Sequence, residues 1–300
     1  MKNIKEQYTF GVALVLLAAG LNGLLPLMVT TVYEFGGHFS NIMFYKAVFL
    51  VPAAFLICRI QKISLRTTLG QQVACGAIAL FQFATSLLLY GSYNLISTGT
   101  ATTLHFMYPV AVSILAMLFF HEKPHRGECL SLGLCIVGVI LLCGATTGKN
   151  ENLLGILVAL LSGVIYAGYL MIMGRSPTES LPSMVFMLYV FLYNGIFSGI
   201  VSVFFRTLKG LGEEGWGMMA VSSVAAGIVA VALQRGISVV GSQTASVLCA
   251  AEPFVSVLAG VIILHEPFSI RSACGTLCII IAVVSAAFAK KKEKDEVINR

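Results

Sequence analysis

Glu252 is the acidic residue that stands near the centre of a long apolar run in this 300-residue chain, immediately before Pro253. A charge at that depth in hydrocarbon costs about 2.5–3.5 kcal/mol on insertion scales, so it normally faces a bundle interior or a wet cavity. There it binds a substrate ammonium or carries a coupling proton; alternatively it satisfies backbone donors freed where the proline interrupts the helix. Tyr108 precedes Pro109 in the same way, and His105 lies three residues earlier, on the same helix face. A single His on a packed helix serves equally as a hydrogen-bonded structural group. Lys46, inside another apolar run, either snorkels toward the interface or presents its charge to a cavity, near a substrate carboxylate or paired with Glu252. Polar stripes at helical spacing occur twice more, as Gln82, Ser86 and Tyr93 and as Ser162, Tyr166, Tyr169 and Met173. Small and hydroxyl residues of this kind also pack helices against one another in lipid. Tyr189, Tyr193 and Asn194 fall inside a run that the sequence does not orient. The candidate binding residues are therefore Glu252, Tyr108, His105, Gln82, Tyr166, Tyr169 and Lys46, with Pro109 and Pro253 as helix breaks. Tyr108, Gln82, Tyr166 and Glu252 are expected to converge near mid-membrane.

Other chemistries lack their residues. No HExxH, no Gly-rich Lys-Ser/Thr loop and no Ser-His-Asp or nucleophile-elbow pattern occurs, so no metal, cofactor or ATP-driven pump is expected. The eight cysteines form no CxxC and read as small core residues. His121-Glu122 and His265-Glu266 close two runs; their carboxylates suit the N-terminus of the helix that follows.

The elements that must position these residues follow from composition. The chain is 58% hydrophobic and 11% charged, against about 45–50% and about 25% in soluble domains. So much apolar surface needs lipid as its solvent. The net charge of +6 forms no patch that would suit nucleic acid. Ten spans of about 19–25 residues are expected, each long enough for a core of about 30 Å. They run 8–32, 39–60, 70–93, 97–120, 127–146, 152–173, 182–205, 216–236, 241–264 and 271–289, with a charged tail at 290–300. Threaded from a cytoplasmic N-terminus, they put fourteen Lys and Arg residues inside and four outside. That bias predicts both termini in the cytoplasm.

The fourth and ninth spans repeat each other. At an offset of 144 residues, Thr100, Ala101, Leu104, Pro109, His121 and Glu122 fall on Thr244, Ala245, Leu248, Pro253, His265 and Glu266. The same offset carries Gly11, Leu16 and Leu17 onto Gly155, Leu160 and Leu161. The halves, 1–148 and 149–289, would then hold five spans each. An odd number of spans inverts the second half, and interrupted spans at matching positions of inverted repeats point to a transport site between them.

The block AEPFVSVLAGVIILHE, with its first-half counterpart carrying Tyr108 for Glu252, resembles the EamA-type branch of the drug/metabolite transporter superfamily. The resemblance implies an all-α integral membrane protein of ten helices in two inverted repeats around a central cavity. It implies a secondary transporter, an exporter or exchanger of a small metabolite such as an amino acid or amine, in the plasma (inner) membrane. A proton carried by Glu252 is the candidate coupling ion; the partners are the substrate and the bilayer. Many relatives carry arginine where this chain has Lys46, and arginine's planar fork is not replaced by a point charge. A passive channel or receptor, or a membrane-embedded lipid-modifying enzyme, is the alternative, although such an enzyme should gather His and Asp at one interface.

Overall fold

The computed structural model describes residues 2–92, 95–96, 101, 104–121, 126–143, 152–174, 176–263, 270, 273–275 and 277–282. All regular structure among them is helical. Among the described residues, six helices are long and apolar enough to cross a membrane. These are α1 (Lys2–Glu34), α2 (Phe39–Ile60), α3 (Leu69–Ser92), α6 (Leu153–Met173), α7 (Ser183–Phe204) and α8 (Glu213–Val240). In hydrocarbon every backbone group must be paired within its own segment, so long apolar runs become helices. Shorter helices among the described residues are α4 (Tyr108–Phe120), α5 (Arg126–Cys143), α9 (Ser242–Cys249) and α10 (Ala251–Ile263). The residues 277–282 are also helical, and Ile279 packs with Cys135, Val139 and Ala250. The expected single spans 97–120 and 241–264 differ from this: the second is two helices, and in the first a turn precedes α4. The reason is the proline in each.

Local signals set several boundaries. His38 caps α2 by accepting from Ser40 N, while Asn41 at the third helical position accepts from His38 N. Asn152 caps α6, accepting from Leu154 N at 2.9 Å. Each cap satisfies a donor that the first helical turn leaves without a partner.

The 144-residue relation recurs in the packing. α1 lies along α8, and α6 lies along α3. A Cβ at Gly11 would stand 2.8 Å from Val239, and one at Gly155 2.6 Å from Ile96, beside Leu95. Val239 and Leu95 are themselves one offset apart, as are Gly11 and Gly155. Each half thus lays its first long helix across the other half. α2 and α7, equivalents at the same offset, pack together and run in opposite directions. Gly195 meets Ala47 while Gly199 meets Phe44, and the Ser40 carbonyl accepts from Ser202 Oγ at 2.8 Å and from Ser198 Oγ. These two equivalent helices thus run antiparallel, as inverted repeats require.

The two ends of the bundle are tied differently. At one end Asn41 Nδ2 donates to the Thr207 carbonyl at 2.8 Å, Ser40 and Thr207 hydroxyls meet at 2.7 Å, and Tyr45 donates to the Lys209 carbonyl. At the other, Tyr189 donates to the Leu65 carbonyl at 3.0 Å and Gln71 to Ser180 Oγ at 3.0 Å. Between them Leu56, Ile200, Val203 and Val224 face outward, exposed. Such apolar faces belong against lipid.

Close approach of α1 and α8 needs Gly236, where a Cβ would stand 2.5 Å from Val15 Cγ2 and 3.2 Å from the Gly11 carbonyl oxygen. Gly236→Val is expected to lower the melting temperature in detergent, in line with the ~1–3 kcal/mol that overpacking costs. An unchanged melting temperature would show that the helices can part without loss.

Candidate functional site

Both proline motifs open a helix. A turn at Phe106 and Met107 precedes α4, which starts at Tyr108 with Pro109 in its first turn. In the second half α9 ends at Cys249, Ala250 forms the turn, and α10 begins at Ala251 with Glu252 and Pro253 in its first turn. Proline fits there because its missing N–H has no partner in a first turn in any case. Glu252 therefore also sits where a helix N-terminus favours negative charge.

The side chains around the breaks meet. Glu252, 7% exposed, accepts from Asn22 Nδ2 of α1 at 3.1 Å and from the Cys249 thiol. Among the described residues no lysine or arginine pairs with it. The Tyr108 ring meets Tyr166 of α6 edge-on at 4.7 Å, and Tyr166 stacks on Tyr169 at 5.3 Å. His105 lies 5.4 Å from Tyr166 and 5.8 Å from Tyr108, ring to ring. Its Nδ1 is 3.0 Å from Ser162 Oγ, which donates to the Ala159 carbonyl at 2.6 Å. That serine proton is committed, so Nδ1 is assigned as the donor to Oγ. Glu252 is close enough to act electrostatically on the phenols of Tyr108, Tyr166 and Tyr169. One buried cluster thus draws on α1 and α4 of the first half and α6, α9 and α10 of the second.

The cluster carries the repeat within itself. Tyr108 is the 144-offset equivalent of Glu252, and Tyr166 that of Asn22. The second-half contact is a hydrogen-bonded carboxylate; the first-half one is a pair of phenol rings. Asn22 and Cys249 were not among the residues singled out from the sequence. The signal that finds Asn22 is the offset itself, applied to Tyr166 of the polar stripe.

The remaining candidates lie elsewhere in the bundle. Gln82 Oε1 accepts from Asn194 Nδ2 of α7 at 2.6 Å, and Gln72 Oε1 from Tyr193 Oη at 2.6 Å. Gln82 is thus held across the α3–α7 contact rather than by the tyrosines. Lys46 is buried at 5% exposure, so it does not reach outward as a snorkelling side chain would. Among the described residues it pairs with no carboxylate. Pro109 and Pro253 are both buried. His121 ends α4 in a left-handed conformation, φ 54°; Glu122, His265 and Glu266, and the tail, lie outside the described residues.

A polytopic membrane protein built of two repeats, with a polar cluster where broken helices of the halves meet, is the class this geometry defines. The EamA-like transporter family matches the chain twice, over residues 9–144 and 153–288. The chain belongs to that family, and it is a membrane transporter. It is 24% identical over 231 residues to the uncharacterized transporter sll1319 of Synechocystis sp., covering 75% of this chain and 68% of that protein. It is 23% identical over 190 residues to the uncharacterized transporter YwfM of Bacillus subtilis, covering 62% of this chain and 63% of that one. A crystal structure of a protein, 16% identical, superposes with a TM-score of 0.78 over 94% of this chain and 98% of its own. That likeness concerns the fold alone.

Proposed function

We propose that this protein is a secondary active transporter, an exporter or exchanger, that moves a small amine-bearing metabolite such as an amino acid by alternating access. The observation that carries the reading is Glu252: a buried carboxylate between the repeats whose hydrogen-bond partners, Asn22 and Cys249, are both neutral. A charge removed from water is costly unless it is paired or neutralised. Such a group takes up either a proton or a cationic substrate group, and the two compete for one site. Competition at a site between inverted repeats is the elementary requirement for coupling proton movement to amine movement. Tyr166, Tyr169 and Tyr108 supply aromatic surface beside it, and the cavity between the halves would open on either side in turn. Lys46, buried on α2, would serve the same pathway.

The binding reading is tested by melting the purified protein against a panel of amino acids, amines and sugar derivatives, since a ligand of the folded state raises apparent stability. Amines or amino acids should raise the melting temperature and neutral sugars should not. Stabilisation by sugars alone would refute it.

The membrane is proposed to be the plasma (inner) membrane, with both termini cytoplasmic. Lys62 and Arg66 would face the cytoplasm and Arg206 and Lys209 the outside, at the two ends of the bundle described above. Single cysteines substituted at Lys209 and at Lys62 are expected to react with an impermeant maleimide from outside and only after permeabilisation, respectively. Labelling of both from one side would overturn the orientation.

A further inference from the structure

The Tyr108 hydroxyl is a buried polar group to which the fold gives no partner. The residue is 0% exposed, and among the described residues its Oη makes no hydrogen bond. Three other buried polar atoms share that status, Asn194 Oδ1, Gln234 Oε1 and Gln243 Nε2. Two of these are anchored by the other end of the same amide, Asn194 through Gln82 at 2.6 Å and Gln234 through the Thr178 carbonyl at 2.8 Å. A phenol has a single polar atom, so nothing else holds Tyr108 by hydrogen bonding. A buried group left in this state calls for an explanation.

Its surroundings narrow the explanation. Neither polar neighbour gives it one: His105 Nδ1 is turned to Ser162 at 3.0 Å, and Glu252 Oε1 is held by Asn22 at 3.1 Å. The ring itself is fixed between Tyr166 at 4.7 Å and His105 at 5.8 Å. Glu252 and Tyr108 occupy equivalent positions of the two repeats, each at the first turn after a helix break. The site therefore has two polar poles, one an acceptor carboxylate and one a hydroxyl free to donate.

We infer that Tyr108 Oη is the second contact for the substrate, donating to an oxygen acceptor carried by an amine whose nitrogen meets Glu252. This rests on the reading of Glu252 as the amine site. It narrows the substrate class from amines in general to amines bearing a carboxylate or hydroxyl oxygen a few bonds from the nitrogen, that is, amino acids or amino alcohols. A site built to hydrogen-bond a substrate oxygen rejects the analogue that lacks it, because its own polar group then stays unpaired. Tyr108 is in this sense a specificity residue.

The test is to measure melting temperatures of the full-length protein and of Tyr108→Phe with three matched pairs. These are alanine against ethylamine, leucine against 3-methylbutylamine, and phenylalanine against phenethylamine. For at least one pair the wild type is expected to bind the amino acid about tenfold or more tightly than the amine, the scale of one hydrogen bond. Tyr108→Phe should erase that ratio by weakening the amino acid toward the amine, and should melt no lower than wild type without ligand. A ratio that persists in Tyr108→Phe overturns the inference, as does equal binding within every pair by the wild type. A ligand-free Tyr108→Phe that melts lower also overturns it, by showing that the hydroxyl already has a partner. If amino acids and amines fail to bind the wild type, or bind Glu252→Gln equally well, the amine site itself falls and Tyr108 with it. Binding lost in Glu252→Gln but unaltered in its selectivity by Tyr108→Phe would remove only the present inference.

Discussion

Glu252→Gln is expected to fold and insert normally and to lose its affinity for cationic ligands by about 10- to 100-fold, the equivalent of one hydrogen bond to a charged group. Glutamine keeps the size of the side chain and an oxygen for Asn22, whose Nδ2 donates to Glu252 Oε1 at 3.1 Å. What it removes is the charge, and with it the exchange of a proton for an ammonium. Transport by the variant should accordingly lose its dependence on pH or its preference for cations. Glu252→Ala is different in kind. It strips the acceptor from Asn22 and from the Cys249 thiol, and a buried donor left without a partner costs about 1–3 kcal/mol. Alanine should therefore lower the melting temperature of the ligand-free protein, whereas glutamine should not. A glutamine variant with wild-type affinity, pH profile and cation preference would reduce Glu252 to a structural clamp on α1.

The second large effect is expected where the long helices touch the breaks. A Cβ at Gly23 of α1 would stand 2.6 Å from the Glu252 carbonyl oxygen, and one at Gly163 of α6 would stand 2.8 Å from the His105 carbonyl oxygen. Backbone at a helix break has no rotamer with which to yield. The equivalents across the 144-residue offset are Ala167 for Gly23 and Ala19 for Gly163, and both alanines are fully buried. Each half thus carries two small residues four apart on the face toward a broken helix, the spacing that lets helices approach closely in lipid. Gly23→Val and Gly163→Val should each abolish ligand stabilisation and lower the melting temperature by more than Gly236→Val. Gly236 meets chiefly a side chain, Val15, which can shift in part. If either variant binds ligand like wild type, the helix breaks are not held in place by α1 and α6.

How far the sequence foretold this depended on the range of the contact. Helix content, the two-fold repeat and the antiparallel relation of α2 and α7 were legible because hydropathy and the 144-residue offset are properties of the chain itself. The prolines were legible as breaks, but not as first-turn residues. From the sequence each appears mid-span, whereas the described helix simply starts at Tyr108 or Ala251. Of the four residues expected to converge, Tyr108 and Tyr166 meet ring to ring, as the physical pressure on polar stripes to avoid lipid suggests. Asn22 was not legible in this way, because its contact with Glu252 joins residues 230 positions apart. Helical periodicity gives the face of a residue but not the helix it will face. Gln82 shows the same limit: its stripe was evident, yet its partner is Asn194, a residue the sequence left without orientation. Cys249 was read as filling space, and its thiol instead donates to Glu252.

Counterflow in proteoliposomes, with wild type and Glu252→Gln side by side, tests the role of the buried carboxylate most directly. Vesicles loaded with an unlabelled amino acid that stabilises the wild type are diluted into a trace of the same compound carrying a label. A carrier with an obligatory binding step at Glu252 should show transient accumulation of label above equilibrium in wild type and little or none in Glu252→Gln. Label that only equilibrates in wild-type vesicles, or accumulates equally in both, would contradict it.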